Sequence, residues 1–401
     1  MEIRDVVIAG YLRTAQSRSR PQEPARDWFG KIRSDDLLAL LLPALLDRTG
    51  VDADEVDDFI VGCAQGVGEQ FTIGGRGPLI LSNLSRRTAA KCVDQQCGSA
   101  MAAMQMGFME IALGYADTVL CGGMEHMTRV PMGGDGAIDI NLRFYMDPSL
   151  ARWDMYNSMN MGMTAEKLAD LGKIDRRAMD AWGVRSHQRA FAAQQTGFFR
   201  DEILPIEAPQ SDGSTMVVET DQAIRGDTSL EGMAELRTPF RKDGRVTPGN
   251  ASPLNAGAVS LLLMSKRKAA EKGIQPLATI RSIGFAGVEP NLMGSGPVPS
   301  SLRALESVGL SAKDIAFWEI NEAFSVVVLY TIQELGIDPE TVNVRGGGIA
   351  IGHPLGASGG RLVGTLARIL QEERGRFGCA TMCCGGGQGV AMIIEREDGN
   401  P

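Results

Sequence analysis

Short apolar runs alternate with longer helix-like segments along the chain, and this alternation predicts an α/β fold. The apolar runs are bounded by turn residues and predict buried strands at residues 5–10, 58–64, 118–123 and 316–320. The longer segments are rich in alanine, leucine and methionine, and they predict helices at residues 35–46, 97–114 and 356–373.

The two ends of the chain share one plan. In each, a helix that starts with small residues is followed by a strand that ends in cysteine and glycine. The first copy is 97–114 with 118–123, and the second is 356–373 with 378–387. We interpret this as an internal duplication of one βα unit, because the spacing is far too long for a solenoid repeat.

The middle of the chain has a different composition. Residues 124–250 are richer in charge, methionine and turn residues, and the sequence of 122–136 predicts a segment that runs over the surface. Two helices are expected within this part, at 164–171 and 176–196. Core-like sequence returns at Ala256.

Composition and charge limit the class of protein. Of the 401 residues, 44% are hydrophobic and 22% charged, which is ordinary for a soluble protein. The net charge of −9 lacks the basic footprint of a nucleic-acid-binding protein, so a polyanionic ligand would need a local basic cluster. No apolar run predicts a membrane span, and the N-terminal residues do not resemble a secretory leader.

The cysteines indicate a reducing environment. There are seven, an odd number in a long chain, which favours free thiols and a cytoplasmic location. A free cysteine is usually a small buried hydrophobe, and we expect that role for most of them.

Cys97 is the first candidate for chemistry, since a strand-like stretch meets a predicted helix start there. Unpaired N–H groups and the dipole at a helix N-terminus favour a thiolate. The sequence therefore predicts a lowered pKa and a nucleophilic role for Cys97. The alternative is a buried cysteine at a helix cap.

His353 lies between a glycine and a proline, which predicts a loop beside a site crowded by backbone. A structural role is the alternative, because a lone histidine is more often structural. Asn321 ends a predicted strand and could orient a water, and the turn-rich residues 246–252 could line a groove.

Cys383 opens the run Cys-Cys-Gly-Gly-Gly-Gln-Gly at 383–389. Backbone N–H groups in such a run can converge on a ligand oxygen, as in an oxyanion hole. A metal site formed by Cys379, Cys383 and Cys384 is disfavoured, because adjacent cysteines without a CxxC pair fit zinc poorly. The glycines also lack the Lys-Ser/Thr that follows in a phosphate-binding loop.

Together and in order, these segments resemble the thiolase family. The matching motifs run from about residue 90 to residue 390 and are QQCGSAM, GGMEHM, NMGMTAE, VTPGNAS, NEAF, GHPLGASG and CCGGGQG. The resemblance implies a duplicated five-layered α/β/α/β/α core with an inserted loop domain. We accordingly divide the chain into an N-terminal core half (1–123 and 251–278), a loop domain (124–250) and a C-terminal core half (279–401).

The resemblance also implies roles for the matched residues. Cys97 matches the nucleophile that becomes acylated, His353 the histidine that activates it, and Cys383 the second cysteine that acts as acid and base. Asn321 matches the asparagine that positions a water in one oxyanion hole. The backbone N–H groups of Cys97 and Gly385 match the second oxyanion hole.

The ligands and partners follow from the same resemblance. Coenzyme A is expected as a co-substrate, with no permanently bound cofactor and no metal. Arg225 matches a position that contacts the nucleotide end of CoA, and Ser252 matches one that contacts the pantetheine arm. Pro248 and Met161 are two further expected contacts. A homodimer or homotetramer is implied, and the other subunit of a fatty-acid oxidation complex is a further candidate partner, with 124–140 as a candidate contact region.

The implied reaction is the cleavage of a 3-ketoacyl-CoA by CoA, or its reverse, through an acyl-Cys97 intermediate. Asn160 stands where several biosynthetic members have histidine. This position, GGMEHM with its histidine, and RSHQRA at 185–190 favour the degradative type over a biosynthetic acetyl-CoA acetyltransferase.

The sequence departs from the family pattern at two places, and two alternative functions remain. Cys384 stands where an apolar residue is more usual and is expected to be packing, while 70–84 could alter the substrate pocket or dimer contacts. A ketoacyl synthase is disfavoured by the second cysteine motif and the few histidines. A non-catalytic acyl-CoA or lipid carrier on this fold is disfavoured by the four reactive side chains.

Overall fold

The computed structural model describes residues 3–133 and 138–397. Its strands are β1 Val6–Arg13, β2 Ser17–Arg18, β3 Asp58–Gly62, β4 Ala89–Val93, β5 Thr118–His126, β6 Ile206–Pro209, β7 Thr215–Val218, β8 Asn255–Ser265, β9 Ala278–Gly287, β10 Phe317–Ile320, β11 Phe377–Cys384 and β12 Gln388–Arg396. Its α-helices are α1 Ser34–Thr49, α2 Arg76–Leu81, α3 Ser99–Ala112, α4 Arg143–Met146, α5 Met155–Ser158, α6 Met161–Gly172, α7 Arg176–Gln195, α8 Leu230–Ala234, α9 Lys266–Glu271, α10 Pro297–Ser307, α11 Ser325–Leu335 and α12 Leu355–Glu373.

The large sheet consists of two halves with the same topology. Its strand order is β10-β11-β12-β9-β1-β8-β5-β3-β4, and β2 pairs with β8 beside this path. In the first half, β3 and β5 are parallel, and β8 and then β1 continue antiparallel. In the second half, β10 and β11 are parallel, and β12 and then β9 continue antiparallel. The predicted duplication of a βα unit is part of this repeat, since α3 precedes β5 as α12 precedes β11.

The two half-sheets enclose a central pair of helices. Helix α12 packs against α3 and contacts β5 and β8 of one half and β10 and β11 of the other. Helix α1 covers the outer face of the first half, and α10 covers that of the second. The predicted five layers are therefore present, and pairing of β1 with β9 at Val7–Thr279 and Ile8–Ala278 joins the two half-sheets into one.

Burial explains why these segments form these elements. The central strands β5, β8 and β11 are buried along almost their whole length, and they read as nearly continuous apolar runs. Helix α12 is buried on every side through its first thirteen residues, so its sequence begins with small residues that let strands and α3 approach.

One close approach fixes the start of α12. A Cβ on Gly356 would lie 2.5 Å from the carbonyl oxygen of Met124 and 2.9 Å from the Cα of Cys63. Only glycine therefore lets the first turn of α12 rest on the carboxyl ends of β3 and β5. Because the residues before α3 arrive at the same strand ends, the segments that carry Cys97 and His353 meet at one edge of the fold.

The predicted surface excursion at 122–136 is wrong for its first residues. Gly122 to His126 form the buried end of β5, and the carboxylate of Glu125 is buried without exposure. This charged residue is tolerated because Ala64 N–H, Gly356 N–H and the amide of Gln70 donate to it. Residues 134–137 of that segment, and so part of the candidate contact region 124–140, lie outside the described residues.

The part of the chain between β5 and β8 carries α4 to α8 and the hairpin of β6 and β7. Helices α6 and α7 pack against α11, which brings this part over the second half of the core. The boundary drawn at residue 123 falls inside β5, while β8 pairs with β1 and β5. The division into three domains stays a prediction.

Candidate active site

Cys97 lies in a tight turn between β4 and α3. The preceding Gln96 has a φ of +51°, a left-handed conformation that is uncommon for a residue with a side chain. Asp94 Oδ1 accepts from Gln96 N–H at 2.7 Å, and Ser99 Oγ donates to the Gln96 carbonyl at 2.6 Å. The turn holds Cys97 two residues before the helix, with its side chain partly exposed. Such strained backbone is common at functional sites.

Two backbone N–H groups point at the Cys97 sulfur. They belong to Gly385, in the turn after β11, and to Cys97 itself. Burial nevertheless raises the pKa of the Cys97 thiol to about 12, against the lowering effect of these two donors. The predicted lowered pKa is therefore wrong for the free protein. The helix starts two residues later than its sequence suggested, and desolvation outweighs the donors.

Cys383 is the neighbour of Cys97 at this place. Burial and the nearby Cys97 both raise the pKa of the Cys383 thiol, and the second effect arises because the two sulfurs are close. Cys383 is fully buried in a cluster that includes Ala323 and Phe324 of the loop after Asn321.

Cys384 points to a different part of the core. It is fully buried in the central cluster, and a Cβ on Gly98 would lie 2.7 Å from its sulfur. This is the packing role that the sequence predicted. Cys379 lies in a third cluster, beside Ser301 at 4.0 Å. The three cysteines near the C-terminus thus face three clusters and do not converge as a zinc site would require.

His353 is on the predicted loop, immediately before α12. Its backbone N–H donates to Asn255 Oδ1 at 2.8 Å, and its Nδ1 lies 2.6 Å from Ser358 Oγ. The Ser358 hydroxyl donates its one hydrogen to the Pro354 carbonyl at 2.9 Å, so Oγ accepts from Nδ1–H. Nε2 then carries the lone pair. Burial and the Arg361 charge lower the pKa of His353 to about 3, so the ring is neutral.

Asn321 faces His353. Its Nδ2 lies 3.3 Å from His353 Nε2, and its backbone N–H donates to the Thr381 carbonyl at 2.9 Å. Among the described residues, no group donates to the buried Asn321 Oδ1. A buried acceptor of this kind usually binds an ordered water, and the water that the resemblance implies at Asn321 stays a prediction.

Cys97 is linked to the His353 loop through packing. It lies against a small cluster of Ala64, Met127 and Leu355, and Leu355 begins α12 two residues after His353. The site therefore gathers segments from both halves of the core: the turn before α3, the loop before α12, the loop after β10 and the turn after β11.

A cleft of about 320 Å³ lies at the part of the chain between β5 and β8. Two of the four residues expected to contact CoA line it, namely Arg225 and Pro248. Arg18, His187 and Ile349 also line it, and the sequence did not single them out for this role.

The other two expected CoA contacts lie nearer the cysteines. Ser252 N–H and Oγ both donate to the Ala323 carbonyl, at 3.0 and 3.2 Å. Met161 begins α6 and packs against the cluster that contains Cys383. The four residues thus divide between the cleft and the surroundings of the second cysteine.

Sequence reasoning missed the residues that support these groups. Glu322, inside the NEAF motif, accepts from Trp182 Nε1, Ser186 Oγ and Asn343 Nδ2 at 2.6 to 2.9 Å. It also accepts from Ile349 N–H at 3.1 Å, so it ties α7 to the loop that leads to His353. Glu322 lies in the NEAF motif and Ser358 in the GHPLGASG motif, and these positions were the signal by which the two residues could have been found.

Two absences concern the described residues alone. Within 3–133 and 138–397, no helix is long and apolar enough to cross a membrane. In the same ranges, no three acidic, histidine or cysteine side chains come together as a metal site would need.

Comparison with known proteins adds an independent line of evidence. Residues 6–267 match the family described as "Thiolase, N-terminal domain", and residues 274–396 match "Thiolase, C-terminal domain". The chain is 41% identical to a 3-ketoacyl-CoA thiolase of Marinobacter nauticus and 40% identical to one of Acinetobacter baylyi, over 98% of both chains in each case.

Solved structures agree with the sequence matches. The crystal structure of human mitochondrial 3-ketoacyl-CoA thiolase superposes with a TM-score of 0.86 at 33% identity, over 98% of this chain and 99% of that one. The same human protein in complex with CoA gives a TM-score of 0.85 at 33% identity, over 98% of both chains. On its fold, its two family matches and its relatives, the chain belongs to the thiolase family.

Proposed function

We propose that the chain catalyses the cleavage of 3-ketoacyl-CoA by CoA, giving acetyl-CoA and an acyl-CoA shortened by two carbons. The convergence on Cys97 is the observation that carries this proposal: the N–H groups of Cys97 and Gly385 point at its sulfur, and the Cys383 sulfur is adjacent. A nucleophile, oxyanion donors and a second proton-transferring thiol are what an acyl transfer of this type needs.

The first half-reaction forms the acyl-enzyme. Cys97 gives its proton to His353 Nε2 and attacks the 3-keto carbon, and the N–H groups of Cys97 and Gly385 stabilise the resulting alkoxide. The alkoxide collapses and breaks the bond between carbons 2 and 3. The enolate of acetyl-CoA is held by His353 and a water on Asn321, and it takes a proton from Cys383. The acyl group stays on Cys97.

The second half-reaction returns the enzyme to its starting state. The Cys383 thiolate removes the proton from incoming CoA, and the CoA thiolate attacks the acyl-Cys97 thioester. Cys97 leaves as a thiolate and recovers its proton from His353. Each role is filled by a residue of the chain, so we propose CoA as a co-substrate with no permanently bound cofactor and no metal.

The proposal explains how a thiol with a raised pKa can act as a nucleophile. Burial disfavours a resting thiolate on Cys97, so the proton has to move as the substrate is attacked. His353 is a suitable acceptor, because its ring is neutral and Nε2 carries no proton. The general base thereby replaces the helix-dipole activation expected from the sequence.

A thiolysis assay with a chain-length series of 3-ketoacyl-CoA substrates tests the proposal. We expect Cys97→Ala to abolish turnover. Cys379→Ala is the matched control, because Cys379 lies in a separate cluster beside Ser301 and should keep wild-type activity. Normal turnover by Cys97→Ala would refute the proposal.

We propose the degradative direction on one position, Asn160, and on the names of the relatives. Asn160 caps α6, with its Oδ1 accepting from Met163 N–H at 3.2 Å, so it stands in a structural role where several biosynthetic members have histidine. The relatives from Marinobacter nauticus and Acinetobacter baylyi are both named 3-ketoacyl-CoA thiolase, and neither is named for acetoacetyl-CoA synthesis. A preference for long over short 3-ketoacyl-CoA in the same assay would support the degradative type, and activity on acetoacetyl-CoA alone would contradict it.

We also propose that the chain forms a homodimer through β4. This strand is one edge of the large sheet, and exposed apolar side chains of Phe71, Ile73, Ile80 and Leu81 lie in the segment that precedes it. An open edge beside an apolar surface is expected to be covered. Ile80→Glu with Leu81→Glu should give a monomer in sedimentation, whereas Leu302→Glu, at an exposed leucine on α10, should not. A dimer that survives the double substitution would refute this interface.

A tetramer, the other subunit of a fatty-acid oxidation complex, and the cytoplasmic location stay predictions from the sequence. Co-purification from cells of origin with a tagged chain would test the partner subunit.

A further inference from the structure

Glu125 is a buried carboxylate that the proposed reaction does not use. Its side chain has no exposed surface, and none of the described lysines and arginines forms a salt bridge with it. Burying a carboxylate without a cation costs free energy. A titratable group of this kind close to a nucleophile is therefore a candidate for a role in the site.

The partners of Glu125 within the described residues all donate to it. Its Oε2 accepts from the backbone N–H groups of Ala64 and Gly356, at 3.0 and 2.9 Å. Its Oε1 accepts from Gln70 Nε2 at 2.6 Å, and the Cys63 thiol lies 3.8 Å from the same oxygen. Burial raises the pKa of Glu125, and these donors act against that effect. A set made only of donors fits the ionised carboxylate, which only accepts.

Two of these partners belong to the segments that surround Cys97 and His353. Ala64 packs against Cys97, and its carbonyl accepts from the side-chain amide of Gln96 at 3.4 Å. Gly356 is in the first turn of α12, three residues after His353. A single carboxylate oxygen thus joins the surroundings of the nucleophile to the element that carries the base, and the two come from different halves of the core.

For α12, Glu125 takes the place of a capping residue. The helix follows Pro354, which provides no side-chain cap. The first N–H groups of a helix have no partner within it, and Gly356 N–H is one of them. A carboxylate at this position also interacts favourably with the helix dipole. Because His353 directly precedes Pro354, a displaced carboxylate would displace the base.

The charge of Glu125 also acts on Cys97. Burial is the main cause of the raised pKa of the Cys97 thiol, and Glu125 is the charged group that adds most to it. Asp94 lies in the same turn and adds less, since it is exposed and screened by water. The other titratable groups nearby are neutral: burial raises the pKa of the thiols at 383–384 and lowers that of His353.

We propose that Glu125 is a positioning residue of the active site: it holds the His353 loop in register with the residues around Cys97, and its charge keeps Cys97 protonated until a substrate is attacked. The proposal rests on the function proposed above, in which Cys97 passes its proton to His353. A resting thiol also resists oxidation and alkylation, since both proceed through the thiolate.

Alkylation of Cys97 by iodoacetamide tests the charge without requiring turnover. The reagent is neutral and reacts with the thiolate, so its rate at a fixed pH follows the fraction of thiolate. Glu125→Gln keeps the shape of the side chain and removes the charge. We expect alkylation of Cys97, assigned by fragment-ion mass spectrometry, to become about 3-fold faster or more. We expect kcat to fall by about 10-fold or more, because the new amide places a donor against Gln70 Nε2 and shifts the loop.

Glu125→Asp separates the charge from the geometry. It keeps the charge, but its shorter side chain does not reach the N–H groups of both Ala64 and Gly356. We expect kcat to fall while the alkylation rate stays near that of the wild type, and this variant tests the positioning even if Glu125→Gln does not fold.

Three results would overturn the proposal. One is a wild-type kcat in Glu125→Asp. Another is an unchanged alkylation rate in Glu125→Gln. The third is equally faster alkylation in both variants, because a loosened site would then explain it without the charge.

Glu202→Gln is the matched control. Glu202 is also a fully buried carboxylate, and it accepts from Arg13 Nε at 2.8 Å and from Thr365 Oγ1 at 3.2 Å. Thr365 lies nine residues beyond Gly356 on α12, which is about 14 Å along the helix at 1.5 Å per residue. The alkylation rate of Cys97 should stay at the wild-type value in this variant.

Failure of this inference differs from failure of the proposed function. An enzyme that performs thiolysis, and in which Glu125→Gln changes neither kcat nor alkylation, contradicts the role of Glu125 alone. A wild type that performs no thiolysis, but whose Cys97 is alkylated faster in Glu125→Gln than in Glu125→Asp, contradicts the proposed function and leaves the charge effect standing.

Discussion

The Nδ1 atom of His353 lies 2.6 Å from the Oγ of Ser358, and this contact sets the tautomer of the histidine. Because Ser358 donates to the Pro354 carbonyl, its oxygen can only accept from the ring. The lone pair on Nε2 is thereby kept on the side of Asn321. A five-residue spacing inside one motif thus prepares the base that we propose takes the proton from Cys97.

Ser358→Ala should lower kcat, because the ring then loses the acceptor that fixes its tautomer and orientation. A general base contributes typically 10²–10⁴ in rate, and loss of its orientation should cost about 10-fold or more of that. The KM for CoA should change little, and the pH dependence of kcat should shift, which a simple packing defect would not cause. Ser301→Ala, which also removes a fully buried serine hydroxyl, is the control and should leave both unchanged.

Cys383→Ser should slow both of the proton transfers that we assign to this thiol. The hydroxyl is a much weaker acid than the thiol, so enolate protonation and CoA deprotonation should slow by about 100-fold or more. Cys384 is the next residue but lies in the central cluster. Cys384→Ser should therefore mainly lower the free energy of unfolding, with a smaller effect on the rate of turnover. Steady-state rates and urea unfolding measure the two effects. Equal loss of turnover in both variants would contradict the assignment of Cys383.

Acid should destabilise the fold through its histidines. Burial lowers the pKa of His353 to about 3 and that of His187 to about 4, below the ordinary value of 6.5. The unfolded chain therefore binds more protons than the folded chain below about pH 6.5, so the free energy of unfolding falls as the pH drops from 6.5 towards 4.

The variant His187→Asn isolates this effect. It should flatten the fall in unfolding free energy, measured by urea titration across the same pH range. Carboxylates such as Glu319, whose pKa burial raises to about 8, act in the opposite direction and are common to both proteins. An equal slope in the variant and the wild type would show that His187 is not held neutral.

Gly356→Ala should destabilise the protein by about 1–3 kcal/mol, because the new Cβ meets backbone atoms of Met124 and Cys63 that cannot rotate away. The shift should also displace the start of α12 and reduce activity. Gly66→Ala is the control, since a Cβ there meets no heavy atom within 4 Å. Thermal unfolding of both variants checks the prediction, and equal stability would contradict the close approach.

Much of the fold follows from local pattern. The predicted strand at 58–64 and helix at 176–196 agree with Asp58–Gly62 and Arg176–Gln195 within two residues at each end, because periodicity and capping act locally. The segment after Gly122 was misread for a physical reason. A charged residue such as Glu125 indicates surface unless its hydrogen-bond partners are known, and these come from residues far away in the chain.

The site was less predictable than the fold. The motifs named Cys97, His353 and Cys383, but the pKa of Cys97 depends on burial by both halves of the core, which no local pattern contains. The left-handed Gln96 has no distinctive sequence either. Arg18 lies some two hundred residues from Arg225 in the chain, and their proximity is a property of the folded molecule.

The most direct test of the central claim is the site of the acyl group. The wild type and Cys383→Ala should each be mixed with a 3-ketoacyl-CoA in the absence of free CoA, quenched in acid, digested, and analysed by mass spectrometry. We predict that the peptide containing Cys97 gains the mass of the shortened acyl group, and that Cys97→Ala shows no acylated peptide. An acyl group found on Cys383, Cys384 or Cys92 in the wild type, with the Cys97 peptide unmodified, would contradict the account.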